Sequence, residues 1–205
     1  MYVMFCSMVE MLEDNQQEIL KGVLETAGKK SAGSISTMID FSVNADVYNL
    51  QDAFDLYEAE MEKEDMAFIV KSELKEEKGG ITFFMMPEES TRKLVNVLLD
   101  RNIDERFGKF GQEEMSTMKE VGNIVIGNFL GEVSDYFDTS ILHDPPEIVH
   151  DMIGSFFADM IRYTQNLEEV MIAEVPFASE DLGIEGRYIL VLGDDIIKEF
   201  VDYFD

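Results

Sequence analysis

The chain has 205 residues, of which 46% are hydrophobic and 11% aromatic; that is enough to bury a core, and it excludes a disordered or low-complexity protein. Against 16 Lys and Arg stand 43 Asp and Glu, a formal net charge of −27 that repels phosphate backbones and anionic lipid, so neither nucleic acid nor a membrane surface is an expected partner. The single cysteine, Cys6, excludes an intrachain disulfide and a cysteine cluster for zinc or iron–sulfur.

The opening MYVMFCSMVEML is apolar but has no basic lead and soon meets Glu10, so it reads as a terminal helix or strand rather than a signal peptide. Cys6 within it reads as a small buried hydrophobe. No run approaches the length of a membrane span, and a cytoplasmic protein is the simplest expectation. A long helix follows over 19–41, then a shorter helical segment over 49–64 and a strand over 65–74. GGITFFMMPEESTRKLVNVLLDRN (79–102) reads as turn, strand and amphipathic helix.

The same order then recurs. A second long helix covers 114–137, a helical segment 145–165 begins at Pro145 and Pro146, a strand covers 168–178, and EGRYILVLGDDIIKEFVDYFD (185–205) repeats strand then helix. The expected fold is therefore α/β (α+β): one domain over 1–205 with pseudo-twofold symmetry. Its helix–strand–strand–helix halves cover about 14–105 and about 112–205.

The long helices align through their glycines, because Gly28 and Gly33 stand five apart, as do Gly122 and Gly127. In that register Gly22 faces Ser116, Thr26 faces Glu120 and Lys29 faces Asn123. A helical wheel of the second copy places Ser116, Glu120 and Asn123 on one stripe that Gly127 and Gly131 continue. Met118, Val125, Ile126, Phe129 and Val133 form the opposite, apolar face, with Gly122 among them. Each glycine costs a helix roughly 0.5–1 kcal/mol against alanine, so each needs a reason. Gly122 is expected to let the helix sit close on its core, and Gly127 and Gly131 to flatten the surface beside Glu120 and Asn123 for an approaching protein. His143 and His150 read as surface or capping residues.

Ser116, Glu120 and Asn123, followed by Pro146 after the 22 intervening residues 124–145, form a four-element pattern. That pattern, together with KEVGNIVIGN and the duplicated layout, resembles the CheC/CheX/FliY family of chemotaxis phosphatases, CheC above all, over essentially the whole chain. The resemblance implies a cytoplasmic hydrolase of two-component signalling that removes the aspartyl phosphate from a CheY-type response regulator. The implied catalytic pair is Glu120 and Asn123: the asparagine amide orients the in-line water and the glutamate docks the regulator's lysine. Ser116, Gly127, Gly131 and Pro146 would serve binding.

No metal of its own is implied, and Mg2+ is expected on the phosphorylated regulator. An acyl phosphate is labile and needs positioning more than a strong base, and an amide that both donates and accepts suits that task. The first copy departs from the motif, with Thr26 and Lys29 in place of Glu and Asn and Asp52 in place of Pro, so one active site is expected. The alternative from another class is a CheC-like adaptor without catalysis, binding CheD or serving in the flagellar switch. A carboxylate-rich cation binder rests on acidity alone, since no EF-hand loop pattern occurs. A monomer is expected, because a duplicated chain already holds the twofold arrangement within itself.

Overall fold

The computed structural model describes residues 13–39, 44–45, 61, 63–75, 79–103, 109–165, 167 and 170–204. The opening stretch with Cys6 and most of segment 49–64, including Asp52, lie outside the described residues. The elements in chain order are α1 (Asp14–Ile39), β1 (Asn44–Ala45), β2 (Met66–Glu73), β3 (Gly80–Pro87), α2 (Glu88–Leu98), α3 (Gln112–Phe137), β4 (Glu147–Met152), α4 (Ile153–Thr164), β5 (Met171–Ser179), β6 (Ile184–Leu192) and α5 (Asp194–Phe204).

Among the described residues six strands form one sheet in the order β1-β5-β6-β3-β2-β4, and every neighbouring pair is antiparallel. The order is a palindrome of the two halves. Strands β2 and β3 mirror β5 and β6, and each half sends one edge strand, β1 or β4, across to the other. The pseudo-twofold arrangement of a mixed α/β fold is thus built by strand exchange.

The strand GITFFMMP has no alternation of apolar and polar residues because both of its faces are covered; all but its last residue are buried. On one face Val70, Phe84, Val175, Tyr188 and Leu190 pack under α1 and α3. On the other, Ile69, Phe83, Met85, Ile189 and Val191 pack against Phe156, Phe157 and Met160 of α4. The long helices lie side by side on their shared face of the sheet. Ser31 Oγ donates to the Val125 carbonyl (3.2 Å), and Asn128 Nδ2 donates to Ser34 Oγ (2.8 Å). Both pairs are 94 residues apart, the offset that aligns the glycines, so equivalent positions of the two copies touch where the helices meet.

The glycines of α3 divide as their positions on the helix wheel suggest. A Cβ at Gly122 would lie 2.5 Å from Val70 Cβ and Cγ1, while among the described residues Gly127 and Gly131 have nothing within 4 Å of that position. Gly28 of α1 repeats the close approach, its Cβ position being 2.7 Å from Val175 Cγ1. Each glycine helix therefore rests on a strand of the other half. Because Gly127 faces open space, Gly127→Ala is expected to raise stability by about 0.5–1 kcal/mol through helix propensity alone. Denaturant unfolding would measure it, and a loss of stability would show a contact at this position.

Segment 145–165 is the clearest departure from the sequence reading. Its helix, α4, begins only at Ile153; the six residues before it form the edge strand β4, paired with β2 from Met66↔Met152 to Lys71↔Glu147. Pro145 and Pro146 do not start a helix. A ring without an N–H donor suits a break in strand pairing as well as a helix start, and here it marks a bulge. Between the pairs Lys71↔Glu147 and Leu74↔His143 lie two residues on β2 but three, 144–146, on the facing chain.

Candidate functional site

The position of α3 is fixed at its first turn. Arg101 forks onto Glu114 Oε1 (2.7 Å) and Glu113 Oε2 (2.6 Å), while Glu114 Oε2 accepts from the Gly111 N–H (2.8 Å). The Arg101 guanidinium, with backbone N–H donors, holds the Glu114 carboxyl below the usual carboxylate range. At the far end Asp138 adopts a left-handed conformation (φ 50°), which aspartate tolerates better than most residues, and its N–H bonds the Ser134 carbonyl. Ser134 Oγ then accepts from the Ile141 N–H (3.1 Å), turning the chain back to the sheet. There Lys75 N–H donates to the Leu142 carbonyl and Asp144 N–H to the Glu73 carbonyl, each at 2.9 Å.

This return loop faces the polar stripe of α3 across an open cleft of about 480 Å³. Ser116, Lys119, Glu120 and Asn123 line it from the helix, Lys75 from the end of β2, and residues 143–146 from the loop. The structure thus brings Ser116, Glu120, Asn123 and Pro146 together. Gly127 and Gly131 lie further along α3 and outside the cleft, and among the described residues nothing lies within 4 Å of either Cβ position.

Ser116 and Glu120 are exposed and Asn123 is half-buried, yet among the described residues none of the three side chains has a hydrogen-bond or ion-pair partner. Other polar side chains of the long helices are engaged: Asn128 on Ser34, Thr117 on the Glu113 carbonyl, and Thr26 on the Gly22 carbonyl. Lys75 and Lys119 also lack acidic partners among the described residues. In a chain of charge −27, two unpaired lysines at one cleft offset locally the repulsion an anionic group would meet. Among the described residues no group of three or more His, Cys, Asp or Glu side chains is placed to hold a metal, and no helix is long and apolar enough to cross a membrane.

His143 is the site residue that the sequence reading set aside. It lines the cleft, and its Nδ1 lies 3.0 Å from Ser72 Oγ and 2.9 Å from the Asp144 carbonyl. A signal for it existed only in the proximity of His143 to Pro146, since Ser72 stands 71 residues away. His150 lies on β4, outside the cleft, stacked on Phe68 and bonded to Glu88 (3.0 Å).

No protein-family model matches the sequence. Among solved structures, FliY from Thermotoga maritima is similar over 94% of this chain and 97% of its own, with a TM-score of 0.68 and 14% identity. The FliM middle domain from H. pylori is similar over 94% and 99% (TM-score 0.58, 8% identity). A putative chemotaxis protein from Desulfovibrio vulgaris Hildenborough is similar over 83% and 96% (TM-score 0.52, 12% identity). The chain has the fold of the CheC/CheX/FliY family.

Proposed function

We propose that this protein is a phosphatase that hydrolyses the aspartyl phosphate of a CheY-type response regulator. The observation that carries the reading is the trio Ser116, Glu120 and Asn123, without side-chain partners among the described residues, in one open cleft with Pro146. Polar groups that stabilise nothing within their own chain retain their full capacity for a partner. Asn123 orients the water in line with phosphorus, and Glu120 docks the regulator's lysine through a charge-assisted hydrogen bond. The bare helix surface at Gly127 and Gly131 gives the regulator's backbone room to approach. Mg2+ belongs to the phosphorylated regulator, where it neutralises the phosphoryl oxygens. The shared fold with FliY supports the architecture of this site; the chemistry rests on the residues.

The test is phosphate release from a preformed, Mg2+-loaded phosphoregulator with and without this protein. Acceleration is the expected result, and an unchanged rate sinks the reading. In the same assay Lys29→Ala, at the first-copy counterpart of Asn123, is expected to leave the rate within about twofold of wild type, as is usual for a surface change remote from a site. A large loss there would place chemistry on α1 as well.

The likeness to the FliM middle domain favours a second reading, a binding component of the flagellar switch. Capture of a switch protein or of CheD by this chain, together with no acceleration of phosphate release, would put that reading first.

A further inference from the structure

We infer that His143 is a second hydrogen-bonding group for the attacking water, acting through Nε2 as the proton acceptor; this rests on the phosphatase reading above. The tautomer follows from its partners. The Asp144 carbonyl, 2.9 Å from Nδ1, can only accept, so Nδ1 carries the proton. Ser72 is only 3% exposed and spends its one hydroxyl proton on that same carbonyl, so it too presents an acceptor to Nδ1, at 3.0 Å. Two acceptors at one ring nitrogen fix the Nδ1–H form. Nε2 is left as a bare lone pair, with no partner among the described residues, on a ring that lines the cleft with Glu120 and Asn123.

The bulge at 144–146 is what places the ring there. In unbroken pairing a residue beyond Pro145 and Pro146 would continue the β4 register; the extra residue resets it, so that His143 faces Leu74 and reaches the side chain of Ser72. Ser72 and the Asp144 carbonyl are therefore positioning groups, in the way a partner on one ring nitrogen orients the other.

In the step itself, the water oxygen bonds to phosphorus and the bond from phosphorus to the aspartyl oxygen breaks, its electron pair leaving with the aspartate carboxylate. The water proton passes to Nε2 and on to solvent, giving carboxylate and inorganic phosphate. Only an Nε2 without a proton can accept, so the step is lost wherever the ring is protonated. The charged groups around it are Lys75 at the end of β2, Lys119 and Glu120 on α3, and Asp144 on its own loop.

The experiment measures single-turnover phosphate release from a Mg2+-loaded phosphoregulator, as the ratio of catalysed to spontaneous rate between about pH 5.5 and 8, for wild type, His143→Phe, His143→Gln, Ser72→Ala and Asn123→Ala. His143→Phe is expected to lose about tenfold in rate at neutral pH with regulator affinity unchanged, the scale of one hydrogen bond to the reacting water. His143→Gln, which keeps an acceptor but does not titrate, retains more of the rate and loses the decline on the acid side. Ser72→Ala keeps the ring but shifts that decline, which a merely structural role would not do.

If Asn123→Ala removes the activity while His143→Phe matches wild type at every pH, the inference about His143 fails and the phosphatase reading stands. If Asn123→Ala is fully active, or wild type gives no acceleration, both fail. Long-range 1H–15N spectra of the histidine rings supply a readout independent of turnover: the Nδ1–H tautomer is expected for His143, and the Nε2–H tautomer overturns the inference.

Discussion

Asn123→Ala is expected to lower the catalysed rate of regulator dephosphorylation by about 100-fold or more, the loss that follows when a reacting group is no longer held in its attack geometry. An acyl phosphate breaks through a loose transition state in which alignment of the incoming water supplies much of the catalysis. On the proposed mechanism alanine removes both the donor and the acceptor that would hold this water. Asn123 makes no hydrogen bond within the chain among the described residues, and it is half-buried on a helix whose first turn is clamped through Arg101. The substitution should therefore leave folding nearly untouched, and an unchanged melting curve would separate chemistry from stability.

Asn123→Asp should be as damaging as alanine although it is nearly isosteric, because a carboxylate cannot donate and repels the phosphoryl oxygens. Glu120→Gln is a different case, since its loss should fall mainly on regulator affinity. Full activity in Asn123→Ala would end the mechanism.

Much of this site was legible from residue spacing. Ser116, Glu120 and Asn123 are four and three residues apart, and any α-helix puts them on one stripe; the same period told Gly122 from Gly127 before any packing partner was known. The long helices and the strands β2, β3, β5 and β6 followed from runs of apolar residues long enough to be unambiguous. Strand β4 did not. EIVHDM lies at an edge with no fully buried residue, so it shows no alternation, and what holds it is main-chain pairing with β2, which leaves no mark in the side chains.

The missed strand explains the missed histidine. With 145–165 read as one helix, His143 becomes a residue before a helix start and Ser72 a residue of a distant strand. Once β4 is seen to lie along β2, the two prolines become a bulge and His143 a wall of the cleft. The concavity had the same origin: a helical wheel shows a stripe, and only the return loop makes it the floor of a cleft. Periodicity within an element could be read locally, whereas contacts across 71 residues depend on register, which the sequence carries only weakly where neither face of a strand is buried.

Gly122→Val is expected to destabilise the protein by about 3 kcal/mol, at the upper end of overpacking costs, while Gly122→Ala falls nearer to about 1 kcal/mol. The first added atom already lies 2.5 Å from Val70 Cβ and Cγ1 and 2.7 Å from Cγ2, on a strand paired on both sides, with β3 and β4. A branched side chain near a held backbone cannot swing away as the end of a flexible chain would, so α3 and β2 must separate. Helix propensity works in the opposite direction, since alanine gains roughly 1 kcal/mol over glycine, and for that reason the alanine variant is the sharper comparison with Gly127→Ala. The same substitution five residues further along the helix should change sign.

For a chain of this length the valine variant should melt roughly 6–12 °C below wild type. Val70→Ala should make Gly122→Ala less costly, a coupling expected only if the two side chains collide. A Gly122→Val protein as stable as wild type would refute the packing. The consequence reaches the cleft, because Ser72, which sits two residues beyond Val70 on β2, holds the loop of His143. The glycine that brings α3 onto β2 therefore also sets the distance between the two walls of the cleft, and Gly122→Ala should lose rate at temperatures where it remains folded.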